Sequence, residues 1–230
     1  MIDVTCKVDE PFFGDHYSGP QGAIARIGSG QYRHRFGGSS WTLIDQRPLF
    51  GGPTLLFVLD LRDPLLAALR GPDLAELPIC TYASCGAWAW PQAYRIVPHD
   101  MEILLIQKTD PPTDEHYLEF AGPLPEKSLD VIPMTSSDYP TSEELYWQGC
   151  DRFLGGTRFI RILGPPLWLY APAVVRCECR RAMDYVAALG YENTREPSAY
   201  IDGGLFLGEG AIYWFFCRHC RVLAVISQPT

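Results

Sequence analysis

An internal duplication sets the strongest limit on the fold of this chain, because a chain that repeats one module must accommodate two similar units. Four short landmarks occur twice, in the same order, within 230 residues. The offset between the copies rises slowly from 117 to 124 residues, as small loop insertions would produce. The landmark pairs are residues 35–38 and 152–156, 48–50 and 166–168, 65–69 and 185–189, and 86–90 and 210–214. They predict two repeat halves, at about 35–95 and 152–220; the alternative is coincidence in a chain rich in glycine and leucine.

Both halves predict the same order of local structures. A Gly-Gly pair marks a tight turn or a close approach, because glycine adopts backbone conformations closed to other residues. An apolar strand follows, at 54–61 in the first half and 173–177 in the second. A short helix comes next: Asp63 caps the first, and the second is expected at 180–189, before Gly190. An aromatic strand closes each half.

The negative charge of the chain is concentrated between the two halves. Residues 110–151 hold ten acidic residues and one lysine, a net charge of −9, whereas the whole chain carries −8. A concentrated field steers association with a basic partner, and a solvated acidic connection is the alternative. The predicted docking residues are Asp114, Glu115, Glu119, Asp138, Glu143, Glu144, Tyr146, Trp147 and Asp151.

The acidic segment that joins the halves, 96–151, also has predicted structure. Residues 101–107 are typical of a strand. Thr141 followed by Glu144 is typical of a capping box that opens a helix through about Trp147. Tyr146 and Trp147 are either partner anchors or core residues of that helix. We expect partner contacts to centre on it.

Four of the eight cysteines have the spacing of a metal site. Cys177 and Cys179 form a C-x-C pair, and Cys217 and Cys220 form a C-x2-C pair at a turn between apolar strands. Four thiolates complete a closed tetrahedral zinc site of the structural type. The pattern predicts one structural zinc, with free thiols or a disulfide as the alternatives.

Composition argues against several classes of function. The sequence pI near 5.1 argues against direct binding of nucleic acid, which needs a basic surface. The N-terminus lacks a signal-peptide pattern, and no apolar run reaches the ~18 residues of a membrane span. We therefore expect a cytoplasmic protein without a membrane partner. No P-loop, dinucleotide fingerprint or catalytic triad pattern is visible, which predicts that the chain is not an enzyme.

The Gly-Gly turns, the apolar strand ending in Asp60 and Leu61, and the closing segment 208–220 resemble the YwqG-like family, a bacterial domain of unknown function. The likeness covers most of residues 35–227. It implies an α+β fold, in which two pseudo-repeated, sheet-bearing halves with short helices are packed as one domain over 1–230.

The resemblance also implies a function, because domains of this kind occur as immunity proteins to secreted (type VI) nuclease toxins. We therefore expect an interaction protein that neutralises a cognate toxin by occluding its basic active cleft. Acidic docking residues fit such a cleft, since a nuclease must attract phosphate. The alternative is a small-molecule-binding protein or enzyme that uses a cleft between the two halves.

Overall fold

Strands dominate the described part of the chain. The computed structural model describes residues 1–7, 19–45, 53–82, 91–107, 123–156, 158–192, 198–202, 204–205 and 210–228. Within them lie fourteen strands, one α-helix and two 3-10 helices. The predicted α+β fold with short helices packed into two halves is therefore wrong, and the fold is mostly β. The reason is tertiary: apolar runs are paired on both sides by other strands, and this context outweighs local propensity.

The secondary structure runs along the chain as a succession of short strands. The strands are β1 (Asp3–Cys6), β2 (Ala23–Ile27), β3 (Arg35–Phe36), β4 (Thr42–Ile44), β5 (Thr54–Asp60), β6 (Glu76–Thr81), β7 (Gln92–Val97), β8 (Glu102–Gln107), β9 (Lys127–Pro133), β10 (Ile160–Ile162), β11 (Ala173–Arg176), β12 (Asp184–Leu189), β13 (Ala211–Cys217) and β14 (Val222–Gln228). The helices are α1 (Glu143–Phe153) and 3-10 helices at Pro64–Leu69 and Ser136–Asp138. The strands predicted at 54–61, 101–107 and 173–177 are confirmed as β5, β8 and β11.

Twelve of the strands form one mixed sheet. Its order is β4-β8-β7-β14-β13-β12-β10-β2-β9-β3-β5-β6, and β1 pairs with β11 in a separate two-stranded ribbon. Neighbouring strands are antiparallel except β4 and β8, which run parallel. Strands of the first half occupy both ends of the sheet, and strands of the second half lie in its middle. The two halves therefore share one sheet.

The middle of the sheet is covered on both faces. Alternate residues of a strand point to opposite faces. In β13, Ile212, Trp214 and Phe216 pack into one hydrophobic cluster, whereas Tyr213 and Phe215 pack into a second. The buried side of α1 belongs to the second cluster. Burial on both faces explains the unbroken apolar sequence of β13.

The sheet curls so that its β6 edge approaches strands nearer the middle. The indole Nε1 of Trp214 in β13 donates to the backbone oxygen of Cys80 in β6 at 2.7 Å. The side-chain oxygen of Gln92 in β7 accepts from the backbone N–H of Tyr82, just beyond β6, at 2.8 Å. These contacts fold the sheet around the first hydrophobic cluster, which draws residues from both of its ends.

A buried polar network holds the corner at the end of β5. His34 accepts at Nδ1 from the backbone N–H of Asp60, so its proton lies on Nε2, which donates to Asp63; both distances are 3.0 Å. Asp63 caps the following 3-10 helix, as predicted, by accepting from the backbone N–H of Leu65. Arg62 donates to the buried Asp60 through Nε at 2.8 Å and Nη2 at 2.6 Å. This forked contact holds the pKa of Asp60 far below its ordinary value.

The segment predicted as a helix at 180–189 is instead a turn followed by β12. Its alanine-rich sequence tolerates a helix, but the segment pairs with β13 on one side and β10 on the other. The two ladders satisfy its buried backbone groups without a helix. Gly190 follows the strand, and a side chain there would collide with the backbone of Phe153. That glycine therefore permits a close approach and does not cap a helix.

Some landmarks of the internal duplication have the predicted structure, and one pair of landmarks differs in structure between the two halves. Gly37, Gly38 and Gly155 have φ angles of 62°, 84° and 81°, as tight Gly-Gly turns require. Residues 65–69 belong to a 3-10 helix, whereas residues 185–189 form a strand, so this pair differs in structure. Two landmarks, 48–50 and 86–90, lie outside the described residues.

α1 starts one residue later than the capping pattern predicts, and it extends further. Its N-cap is Ser142 and not Thr141; the Ser142 hydroxyl accepts from the backbone N–H of Leu145 at 3.3 Å. The helix ends at Phe153, beyond the predicted end near Trp147. Its buried side contacts the second hydrophobic cluster along its length, and such packing is what stabilises most protein helices.

Candidate metal centre

Two turns bring four cysteines together. The ligand atoms of Cys177, Cys179, Cys217 and Cys220 all lie within 4.8 Å of one another. The two predicted pairs therefore meet in space, although Cys217 lies 38 positions beyond Cys179. All four are free thiols, so disulfides do not account for the cluster. The arrangement is compatible with a structural metal ion.

The first pair lies in a tight turn after β11. The backbone N–H of Arg180 donates to the carbonyl oxygen of Cys177 at 2.7 Å, and the N–H of Cys177 donates to the carbonyl oxygen of Arg181 at 2.9 Å. Arg180, which follows Cys179, has a φ of 66°. These bonds close the turn and keep the two thiols within ligand distance of each other.

The second pair lies in the turn that joins β13 to β14. Cys217 ends β13 and is paired with Val222 at the start of β14. Cys220 lies in the turn itself, and Arg221 after it has a φ of 54°. Both turns thus place a residue with left-handed backbone directly after the second cysteine, which reverses the chain within a few residues.

The thiols of the cluster differ in burial and acidity. Cys177 and Cys217 are 3% and 4% exposed, whereas Cys179 and Cys220 are half-buried. Burial raises the pKa of Cys177 to about 11 and also raises the pKa of Cys220. The backbone N–H of Arg181 donates to Cys179 and lowers its pKa to about 7. A metal cation would ionise all four, because ligating thiols are deprotonated.

Positive side chains flank the cysteine cluster. Arg218 pairs with Asp184 at 3.0 Å, and Arg221 lies 3.7 Å from Asp73. The arginines of the two turns and their flanks are Arg176, Arg180, Arg181, Arg218 and Arg221. Their positive charge would offset part of the negative charge that four thiolates leave around a divalent ion.

A metal ion held by these four residues would have no open coordination position. Four sulfur ligands complete a tetrahedron, which is the pattern of structural rather than catalytic centres. The first pair follows β11 in the two-stranded ribbon, and the second pair lies between β13 and β14 in the main sheet. The ion would therefore fasten the ribbon to the sheet.

α1 presents acidic and aromatic side chains to solvent. Glu143, Glu144, Trp147 and Asp151 are all exposed. At 3.6 residues per turn they lie within about 100° of arc on the helix. The adjacent side of α1, with Tyr146, Cys150 and Phe153, is buried in the second hydrophobic cluster. These four residues form one surface, which we call the docking face.

Two other predicted partner residues are buried. Asp138 is 6% exposed, pairs with Arg158, and accepts from the backbone N–H of Thr135 at 2.9 Å. Tyr146 is 1% exposed, and its hydroxyl donates to the backbone oxygen of Trp168 at 2.8 Å. Both side chains serve the interior and are not part of the docking face. The predicted residues Asp114, Glu115 and Glu119 lie outside the described residues.

Two polar sites of the structure have no short-range signal in the sequence. His34 contacts Asp63 across 29 positions of the chain. A cavity is lined by Arg33, Trp41 and Arg62, with further residues from 73–76, 98 and 101. Both sites are assembled from segments that lie far apart along the chain, so spacing rules do not reveal them.

No family model, curated protein or solved structure matches this chain. The resemblance to the YwqG-like family therefore stays a prediction. Among the described residues, no helix is both long and apolar enough to cross a membrane.

Proposed function

We propose that this protein is a zinc-stabilised interaction protein that binds a basic protein partner through the docking face. The observation that carries the proposal is the docking face itself, where a tryptophan that is 43% exposed stands among three exposed carboxylates. Exposed aromatic residues are enriched as anchors of protein interfaces. The proposed partner is a secreted nuclease toxin, which this protein would neutralise as an immunity protein.

Charge complementarity supports a nuclease as the partner. A nuclease cleft is basic because it must attract phosphate, and the carboxylates of the docking face match it. Complementary charge raises the association rate and the selectivity, and an aromatic anchor contributes affinity. The formal charge of −8 on the whole chain adds attraction at longer range.

The acids of the docking face differ in their role within the helix. Glu143 and Glu144 lie in the first turn of α1, where the helix dipole favours carboxylates. Asp151 lies near the C-terminal end, where negative charge is unfavourable. Helix stability therefore explains Glu143 and Glu144 but not Asp151 or the exposed Trp147. Substitutions at Asp151 and Trp147 are the ones that test for a docking surface.

The second part of the proposal is that the cysteine cluster holds one zinc ion. Four sulfurs bound tetrahedrally at about 2.3 Å from zinc lie about 3.8 Å from one another. The Sγ atoms of Cys179 and Cys217 are 3.8 Å apart. An all-thiolate donor set suits zinc among the common structural metals. Cys177 and Cys217 belong to the same hydrophobic cluster as the buried side of α1, so zinc would support the layer beneath the docking face.

Binding to the toxin encoded by a neighbouring gene tests the docking face. Calorimetric titration at low and high salt measures affinity and salt dependence for the wild type and for two variants. We expect Trp147→Ala to weaken binding at least tenfold, which corresponds to about 1.4 kcal/mol. We expect Asp151→Lys to weaken binding and to flatten its salt dependence, because a like charge then faces the basic cleft.

Matched substitutions separate docking from a general charge effect. Asp100→Lys and Asp202→Lys make the same charge change at exposed residues outside α1. Their affinities should stay within about twofold of the wild type. Equal binding by all four variants would reject the docking face. A toxin that stays fully active at saturating protein would reject the immunity role.

A second candidate function is small-molecule binding in a cleft between the halves. It is favoured by a cleft of about 430 Å³, with walls from residues 70–72 of the first half and 181–184 and 216–219 of the second. Three arginines (Arg70, Arg181 and Arg218) and one aspartate (Asp184) lie in these walls, so an anion is the expected ligand. Thermal stabilisation by an anionic metabolite that is lost in Arg181→Gln would support this function. No stabilisation across a panel of anions would contradict it.

A further inference from the structure

A cavity of about 380 Å³ opens where two distant parts of the sheet meet. Residues beside β3, β5 and β6 form one wall, and residues beside β4 and β8 form the other. The volume falls within the range of about 300–1,000 Å³ typical of small-molecule sites. We propose that this cavity binds a small organic carboxylate with an apolar or aromatic body. The site is separate from the docking face and does not depend on it.

Among the described residues around the cavity, one cation lacks a counter-ion. Glu76 accepts a forked contact from Arg35, at 3.0 and 2.8 Å. Asp60 is occupied in the same way by Arg62. Arg33 is exposed, and among the described residues its guanidinium has no ion-pair partner. Arg33 is therefore the group that a ligand anion would neutralise.

The balance of charge favours a single negative charge on the ligand. Asp73, the remaining acid of the wall, has a side chain 84% exposed and lies 3.7 Å from Arg221. It is therefore screened by solvent and has a cation of its own. A dianionic phosphate ester carries two negative charges, and Arg33 would neutralise only one of them, which leaves the other beside the carboxylates of Asp60 and Glu76. A carboxylate carries the single negative charge that Arg33 can neutralise. Arginine also presents a planar fork that fits the two oxygens of a carboxylate.

Trp41 adds a buried hydrogen-bond donor to the wall. It is 3% exposed, and its Nε1 is buried without a hydrogen-bond partner among the described residues. An unpaired buried N–H is unfavourable, and Trp214 avoids this by donating to the backbone oxygen of Cys80. The indole N–H is closed off from solvent in the folded protein, so a ligand oxygen would reach it, and supply the acceptor that Trp41 lacks, through a small shift of the wall.

Apolar groups form much of the remaining wall. Leu74, Pro98 and Met101 line the cavity together with Trp41. Such a surface recognises a ring or a short hydrocarbon chain and leaves specificity to a few polar groups. The expected ligand therefore has an acidic head that reaches Arg33 and an apolar body that packs among these side chains.

Titration of the intact protein with phenylacetate tests the proposal. Phenylacetamide is the matched neutral probe because it keeps the shape and lacks the charge, and phenyl phosphate is the dianionic probe. We expect phenylacetate to bind with a Kd of about 1 mM or tighter. The other two probes should bind at least tenfold more weakly. The NMR signal of the Trp41 indole N–H should shift as phenylacetate binds.

Two variants and a control assign the roles of the residues. Arg33→Gln should weaken phenylacetate binding at least tenfold, and this exposed position tolerates the change without loss of the fold. Trp41→Phe keeps a ring, removes the N–H, and should weaken binding about fivefold. Arg26→Gln, at an arginine with a side chain 64% exposed outside the cavity, should bind like the wild type. Equal binding by Arg33→Gln, equal binding of phenylacetamide, or no phenylacetate binding below about 10 mM would overturn the proposal.

Discussion

Two corners of this sheet are held by different chemistry. At the end of β5, His34, Asp60, Arg62 and Asp63 satisfy one another with groups that the chain itself supplies. At the turns after β11 and β13, four cysteines converge, and burial raises the pKa of Cys177 to about 11. The polar corner is complete as folded, whereas the cysteine corner would be completed by the proposed metal ion. Acid should therefore weaken the first corner, and loss of metal should weaken the second.

The greatest loss of stability is expected at the cysteine corner. Cys177→Ser removes one ligand and should cost about 4 kcal/mol or more, part of the roughly 10–16 kcal/mol that structural zinc contributes in small domains. The melting temperature should fall by roughly 10 °C. Calorimetry and metal analysis measure both effects. Cys6→Ser, at an exposed cysteine outside the cluster, should keep the metal and the melting temperature. If the wild-type protein contained no bound metal, the claim that a metal ion stabilises the cysteine corner would be wrong.

A smaller loss is expected at the polar corner. His34→Ala removes both hydrogen bonds of a buried ring and leaves Asp63 with one partner fewer, which should cost about 2–4 kcal/mol. Urea unfolding measures the change. His99→Ala, at an exposed histidine, is the control and should stay within about 0.5 kcal/mol of the wild type. If a metal chelator changed the cost of His34→Ala, the two corners would not be independent.

The polar corner should also respond to pH. Arg62 lowers the pKa of Asp60 in the folded protein, so the contribution of Asp60 is full above the unfolded value of ~4 and is lost as pH falls towards the folded pKa. Asp60→Asn should cost about 1–2 kcal/mol at neutral pH, and its gap to the wild type should shrink below about pH 4. Urea unfolding across this range measures the gap. If the difference in unfolding free energy between Asp60→Asn and the wild type stayed constant with pH, groups other than Asp60 would cause the acid sensitivity.

The smallest effect has the opposite sign and concerns the backbone of the cysteine corner. Arg180 has a φ of 66°, which costs a residue with a side chain more than it costs glycine. Arg180→Gly should therefore stabilise the protein by about 0.5–1 kcal/mol. Arg176→Gly, within β11, should destabilise it, because glycine weakens a strand. Loss of stability in Arg180→Gly would show that the arginine contributes more than its backbone strain costs.

Local signals predicted the parts of this fold that depend on near neighbours. The cap at Asp63, the positive φ angles at Gly37 and Gly38, and the strand β5 follow from a few adjacent residues. Each cysteine pair is also recognisable from a few adjacent residues, because its two cysteines lie within one turn. That the two pairs would meet was a prediction from the chemistry of thiolates and metals.

The sequence-based predictions are wrong where contacts with distant parts of the chain outweigh the secondary-structure preference of a segment. Residues 184–189 form β12 because β10 and β13 lie on either side, although their alanines tolerate a helix. Tyr146 and Trp147 are neighbours in sequence, yet one is 1% and the other 43% exposed. Their helical positions differ by about 100°, and only the packing of α1 on the sheet selects which of them is buried.

The chain alone specified the four candidate metal-ligand cysteines, the acidic character of the segment around α1, and the tight turns, because each depends on residue types within a short stretch. The order of the twelve strands, the strand state of β12, the exposed side of α1 and the cavity at Trp41 required the folded protein. These features arise from contacts between residues far apart in sequence, where burial and hydrogen-bond pairing of the whole sheet outweigh the preference of any one segment.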